Sequence, residues 1–349
     1  MMSTMKILGK EIHYSEDYKE IDSLKFFKDN PRVYSVVREI PGFDNFTEEE
    51  KQEKIYEQLL DEPSVKNLRE EIRRHGGLLE PIVVSMNTWE VIEGNSRLAV
   101  YKELHDSQED GEWALIPCRL ISKFEDDELA AYLSQIHIKG KTKWTAYEKY
   151  NFAYVRFEKG IQNGSSEGVA YSQIANLFGE SEATIRHRVR VIKLMEDKQD
   201  NVRGNLSYYD VLVRNTDSRK MIENGGLNTL LKEIKLSGKN GSGENEEDED
   251  EKEFTAQEMR RALPNLIKKP KLLKQYEDGR ISFKEAASRA EVSECKQNVV
   301  RATSFLGDIS KRDIGRLSTN DFNAFSQSFR RLKKEVDRVE GIIQLQKKT

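Results

Sequence analysis

The chain has 349 residues, 34% of them charged, with a net charge of −4 at neutral pH and a mean hydropathy of −0.74. That length accommodates two or three domains, and the near-balanced charge excludes a globally basic coat, so any nucleic-acid surface must be local. No apolar run is long enough to cross a membrane, the N-terminus lacks a signal-peptide core, and Cys118 and Cys295 show neither metal-ligand nor disulfide spacing; the chain reads as cytosolic.

Residues 1–17 are weakly patterned and read as a flexible arm. Asn30-Pro31-Arg32 precedes a charged stretch over 36–64, including Glu48, Glu49, Glu50 and Lys51, that reads as a helical insertion. Val65, Leu68 and Ile72 then give one apolar face to a helix reaching His75, which Gly76-Gly77 ends. Leu79-Glu80-Pro81-Ile82-Val83-Val84 reads as a buried strand, and pairing 81–85 with 89–92 across Met86-Asn87-Thr88 makes a hairpin. The hairpin runs into Glu93-Gly94-Asn95-Ser96-Arg97, after which Leu98, Tyr101 and Leu104 mark the apolar face of a further helix. A glycine at a helix start lets an anion approach free backbone N–H groups, and Arg97 adds a cation. Gly94, Asn95, Ser96 and Arg97 are therefore a candidate phosphate-binding turn, the alternative being a plain turn with Arg97 in solvent. Glu93, beside them, is a candidate general base.

A strand over 115–120 follows, with Cys118 as a buried thiol in its apolar pattern, then a helix over 126–135. Next come His137-Ile138-Lys139-Gly140-Lys141, Lys143 and Trp144, and a helix over 146–159. The cluster of His137, Lys139, Lys141 and Lys143 either lines phosphates together with Arg97, tracks a DNA backbone, or is a charged loop.

After a polar loop over 162–168, residues 171–193 carry a helix-turn-helix pattern. Ala175 is small where two helices cross, Gly179 permits the left-handed turn, Ser181 is placed to cap the second helix, and Ile174, Phe178, Ile185 and Val189 supply a small core. The exposed face of the second helix presents Glu182, Ala183, Arg186, His187 and Arg190, with Thr184 and Arg188 near the backbone. Ser172, Gln173 and Ser181 complete the candidate DNA-binding set. Arginines on such a helix can bond guanine edges or neutralise phosphates; the plain alternative is a helical hairpin with a solvated basic face.

This order of helix, glycine, Leu-x-Pro-Ile-Val-Val strand, hairpin and Val-Ile-x-Gly-x-x-Arg helix start resembles the N-terminal domain of the ParB/sulfiredoxin superfamily. The helix-turn-helix stands where ParB proteins carry theirs, so the resemblance covers residues 18–195. It implies that Gly94 to Arg97 lie against the phosphates of a nucleotide, and that His137, Lys139 and Lys141 belong to a second nucleotide motif. The implied cofactor is a nucleoside triphosphate, CTP foremost, with Mg2+. The chain departs from the family at Asn95, Ser96 and Ala99, where CTP-hydrolysing relatives carry further arginines. It departs again at Ser134-Gln135-Ile136-His137, where they carry a magnesium-holding acid and an asparagine. These departures argue against efficient CTP hydrolysis.

Residues 205–235 are mostly helical by pattern. The composition then changes: 238–243 is small and polar, and 244–253 is almost wholly acidic. A block of like charge repels itself and reads as a disordered linker rather than as a mimic of DNA. Beyond it, Phe322, Phe325, Phe329, Leu332, Val336, Val339 and Ile343 repeat at alternating steps of three and four. That stripe either packs within a small domain, which the phenylalanines favour, or forms a coiled-coil dimer seam.

The fold class expected is α+β: a small mixed ParB/sulfiredoxin-like domain, an all-α helix-turn-helix domain and a helical C-terminal unit. The expected boundaries are an arm at 1–17, a nucleotide-binding domain at 18–142, a helical domain at 143–236, an acidic linker at 237–253 and a C-terminal domain at 254–349. The leading function is sequence-recognising binding of duplex DNA with a nucleotide-responsive N-terminal domain, serving plasmid or phage partitioning or regulation of a mobile element. The chain would then be a homodimer associated with the nucleoid or a plasmid, with no membrane role and no dedicated metal site. The alternatives are an enzyme on the same fold (a nuclease, a phosphotransferase or a weak NTPase using Glu93) and an adaptor that recruits a partner protein through its C-terminal helices.

Overall fold

A computed structural model of the chain describes residues 2–107, 112–122, 124–138, 144–239, 254–309 and 311–346. Lys139, Lys141 and Lys143 and the acidic run 244–253 lie outside these.

The sheet region runs β1 (Met2–Ile7), β2 (Lys10–Glu20), β3 (Lys25–Phe26), α1 (Pro31–Val37), α2 (Glu48–Asp61), α3 (Pro63–His75), β4 (Ile82–Ser85), β5 (Glu90–Glu93), α4 (Asn95–Asp106) and β6 (Leu115–Ile121). The six strands lie in the order β1-β2-β6-β4-β5-β3. The sheet is mixed: β4 is antiparallel to β5 but parallel to β6, and β3 is parallel to β5. The expected hairpin is therefore the β4–β5 pair at the heart of the sheet. Residues 1–17, expected as an arm, form β1 and most of β2. Ile7 pairs with Lys10 across Leu8 and Gly9, both at positive φ, the backbone that a two-residue hairpin turn requires. The β1–β2 hairpin hid from the pattern because, among the residues whose burial is described, only Ile7 and Ile12 are buried along its outer strands.

Alternation along the strands divides two cores. Ile82, Val84, Val91, Cys118 and Leu120 face one side of the sheet, where they pack with Val36, Ile55, Ile72, Leu98 and Leu104 from α1–α4. Val83, Ile92 and Ile121 face the other side. A sheet covered on both faces has strands that read as continuous apolar runs, which is how residues 81–84 read in the sequence.

The second face is covered by helices that follow the sheet: α5 (Asp126–His137), α6 (Ala146–Gln162), α7 (Glu167–Phe178) and α8 (Glu182–Asp197). Leu133, Phe152, Phe157, Ile174, Phe178, Ile185 and Val189 belong to the same buried cluster as Val83 and Ile92. The expected border at residues 142/143 is thus not a break between cores: the core of the α7–α8 pair and the back of the sheet are one.

Helices α9 (Leu206–Arg214), α10 (Thr216–Glu223), α11 (Asn228–Lys239), α12 (Ala256–Ile267) and α13 (Pro270–Glu277) extend this body. The separate C-terminal unit begins near residue 285 rather than at 254. The reason is aromatic packing after the acidic run. The Phe254 ring lies against Tyr208 and Phe283, and the Tyr208 hydroxyl donates to the Phe254 carbonyl at 2.9 Å. Tyr276 donates to Glu233 on α11 at 2.6 Å. Helix α11 also carries residues 237–239, which were expected in the linker.

The remaining helices are α14 (Phe283–Asp308), α15 (Lys311–Ile314) and α16 (Thr319–Gln346). Along α16, Phe322, Phe329, Leu332, Val336 and Val339 are each 41–53% exposed. These five positions of the stripe are open to solvent, and Phe325 is half-buried with its ring stacked on Phe329.

Candidate phosphate turn and nucleic-acid interface

Strand β5 ends at Glu93, and Gly94 starts α4 with φ +101° and no side-chain cap. A Cβ added at Gly94 would stand 2.5 Å from Ile82 Cγ2, so glycine is required both by the backbone and by the close approach of β4. The next two side chains serve the fold. Asn95 is buried; its amide donates to the Val91 carbonyl at 2.8 Å, and its oxygen accepts the Phe27 N–H at 3.0 Å. Ser96 is buried as well. Neither side chain faces outward to a ligand as the sequence reading expected.

Arg97 is folded back rather than extended into solvent. Its guanidinium pairs with the Glu93 carboxylate and donates to the Glu80 carbonyl at 2.8 Å. Both partners keep only 17% side-chain exposure. A phosphate at this turn competes with Glu93 for Arg97, and the same pairing engages the carboxylate read as a base. Tyr132 on α5 was not expected at this site. Burial raises its hydroxyl pKa, and the neighbouring Glu93 carboxylate raises it further. Its signal in the sequence was one aromatic within the apolar face of α5, which packing alone explains.

His137 ends α5, buried, with its ring stacked on Trp144 at 5.1 Å between centroids. It is part of the core rather than of an open cationic loop. A nucleoside triphosphate with Mg2+ is the cofactor that the family resemblance implies. The uncapped first turn of α4, with Gly94 and Arg97, fits a phosphate. Glu93, the carboxylate nearest this turn, is paired with Arg97.

The second site is the α7–α8 pair. Gly179 takes φ +68° at the end of α7. Ser181 caps α8, accepting the Thr184 N–H at 3.2 Å. Ile185, Val189, Ile192 and Met195 turn the other side of α8 inward. Gln173, Ser181, Glu182, Ala183 and Arg190 are exposed, and Ser172, Thr184 and Arg186 are half-buried. Arg186 lies over the Tyr171 ring at 4.1 Å and pairs with Glu182 at 3.3 Å. Lys193, one turn beyond Arg190, is exposed too. The sequence reading stopped short of it, although its spacing from Arg186 and Arg190 puts it on their face.

His187 does not belong to that outer face. Its Nε2 is 2.7 Å from Asp210 Oδ1 on α9. Tyr150 donates to the same oxygen at 2.9 Å, and Arg214 Nε donates to Oδ2 at 2.7 Å. Burial pushes the Asp210 carboxyl up, but the hydrogen bonds from His187, Arg214 and Tyr150 together outweigh it and hold the group well below the usual carboxylate range. Arg188 also turns inward, pairing with Glu180 at 2.6 Å and lying over the Phe178 and Tyr150 rings.

A cleft of about 2380 Å³ opens beside this cluster, lined by Asp210, Arg214 and Arg260 as well as by Arg32, Arg38 and Arg203, and by none of the residues from Glu93 to Arg97. Its arginines are paired across it. Arg38 donates to Asn151 at 2.7 Å and to Glu196 at 2.8 Å, and Arg203 bridges Glu39 and Glu62 at 3.1 and 2.7 Å. These contacts join α1–α3 to α6, α8 and the turn at Arg203.

No family model matches the chain, and no curated protein does. Among solved structures it is similar to a Pnob8-like ParB-N domain in its C2221 crystal form. The identity is 12% and the TM-score 0.35, over 64% of this chain and 99% of that one. Likeness at that level carries no argument about function.

Proposed function

We propose that the chain is a ParB-like DNA-binding protein in which α7 and α8 engage duplex DNA and α8 enters the major groove. The observation that carries this reading is the outer face of α8. Ala183, Arg190 and Lys193 are exposed there with Gln173 of α7, on a helix whose inner side is locked into the sheet core. A rigid helix with a short first-turn side chain and cations further along suits a groove lined by phosphates.

The N-terminal turn supplies nucleotide response. A phosphate at the start of α4 competes with Glu93 for Arg97, and it shifts the chain only to the extent that it binds one conformer more tightly. The open stripe of α16 pairs two copies, as an apolar seam with step three and four does. Service in partitioning, or in regulation of a mobile element, follows from this combination of DNA binding and nucleotide response.

The test is duplex binding by the full chain and by Arg190→Ala/Lys193→Ala, with Arg97→Ala as the contrast. Loss of two phosphate or base contacts lowers affinity on the order of tenfold or more. Arg97→Ala is expected to leave basal DNA affinity intact and to abolish nucleotide binding. Equal losses of DNA affinity in both variants would refute the division of labour.

A further inference from the structure

Two arginines outside the helix-turn-helix converge on its second helix. Arg214 ends α9, and Arg260 lies in the first half of α12. Both approach Asp210: Arg214 Nε at 2.7 Å and Arg260 Nη2 at 3.8 Å from Oδ2. His187 of α8 holds the other oxygen, which also accepts from Tyr150. Asp210 is nearly enclosed, with 11% side-chain exposure, whereas Arg214 and Arg260 keep 62% and 63%. One buried carboxylate thus hydrogen-bonds the Arg214 guanidinium, faces that of Arg260 at ion-pair distance, and leaves both largely exposed.

We propose that Arg214 and Arg260 form a phosphate clamp that grips the nucleic-acid backbone beside α8. This rests on the DNA-binding reading above and adds a contact surface to it. Three observations carry it. First, two cations face a single carboxylate, so the cluster holds net positive charge even with His187 neutral. Second, His187 lies on the flank of α8 between the outer face and α9, so the cluster stands at the side of the helix. A helix seated in the major groove has a phosphate chain along each side. Third, the planar fork of arginine donates two parallel hydrogen bonds to a phosphate, and that of Arg214, already fixed at its Nε, loses little freedom on doing so. Asp210 is then a positioning residue. It aims the arginines and, through His187, ties their placement to α8.

The clamp reads backbone and not sequence, and that sets its test. The full chain is titrated with a labelled duplex of random sequence between about 50 and 200 mM salt, where each phosphate contact contributes about 0.9 to the slope of log K against log salt. Arg260→Ala leaves Asp210 bound to His187, Tyr150 and Arg214, so the fold is kept. It is expected to lower the slope by about 1, and Arg214→Ala/Arg260→Ala by about 2, with the same loss on unrelated duplexes. Arg214→Lys/Arg260→Lys keeps both charges but not the fork; it is expected to preserve the slope while weakening binding several-fold. Thermal melts of each variant confirm that the fold is retained. An unchanged slope in Arg260→Ala and in the double alanine variant, with the parent chain binding duplex, overturns the clamp alone. Failure of the parent chain to bind any duplex overturns the DNA-binding reading, and the clamp with it.

Discussion

Helix α4 begins directly after Gly94 and helix α8 three residues after Gly179, both glycines lying in the left-handed region. In the sequence α4 reads as an anion-facing helix start with Arg97 in its first turn, and α8 as a recognition helix carrying Arg186 and Arg190. Their surroundings separate them. Helix α4 sits against β4 and between the sheet and α2–α3, so Asn95 and Ser96 are buried and Arg97 is pinned by Glu93 and a carbonyl. Helix α8 has one side in the core and the other in solvent, so Glu182, Ala183, Arg190 and Lys193 stay available. Whether a helix start serves a ligand or the fold depends on how many sides of the helix are covered.

The strongest way to break this comparison is to add a methyl group at each glycine. At Gly94 the Cβ meets Ile82 at 2.5 Å and the backbone is left-handed. Overpacking and strain together are expected to cost about 3 kcal/mol. Gly179→Ala pays for its left-handed backbone with about 1 kcal/mol. Urea denaturation of the two variants checks the ranking; equal costs would mean that the α4 start is no more tightly held than the α8 start.

A smaller effect concerns the support behind α8. The folded-state pKa of Asp210 lies below its unfolded value, so the unfolded chain binds the proton more readily. The resulting stability is fully present above about pH 4 and is lost as pH falls from there towards the folded pKa. Asp210→Asn is expected to cost about 2 kcal/mol at neutral pH, the scale of charged hydrogen bonds. Its deficit relative to the parent chain is expected to shrink progressively below pH 4. Melting temperatures of both proteins across the acid range test this, and a deficit that stays constant with pH would show that Asp210 contributes only by shape.

The smallest effect probes the core on the α4 side of the sheet. Burial pushes the Cys118 thiol up to about 12, so it is expected to resist alkylation at pH 8 in the native chain and to react only after unfolding. Mapping the labelled cysteine by mass spectrometry decides the matter; prompt native labelling at Cys118 would show that this core opens readily.

Much of the architecture was legible locally. Gly76 after an amphipathic stretch, the hairpin around 86–88, and the Ala175, Gly179 and Ser181 pattern are short-range signals, each fixed by backbone sterics or by a cap within a few residues. The β1–β2 hairpin was not legible, because Leu8-Gly9 is an uncommon turn pair and the outer strands bury so little. The candidate sites divided in the same way. The turn at Gly94 was visible, but the inward roles of Asn95, His137 and His187 depend on Val91, Trp144 and Asp210, which come from other elements or from residues whose placement the local pattern leaves open.

The sequence by itself determined the order of elements, the positions of Gly94 and Gly179, and the stripe along α16, since periodicity, turn conformation and capping act over a few residues. The tertiary structure alone decided which helices share a core. It joined the α7–α8 pair to the back of the sheet, brought 254–284 onto the same body through Phe254 and Tyr276, and gathered His187, Arg214 and Arg260 around Asp210. The reason is that burial and charge pairing are satisfied by neighbours in space, and those neighbours stand tens of residues apart in the chain.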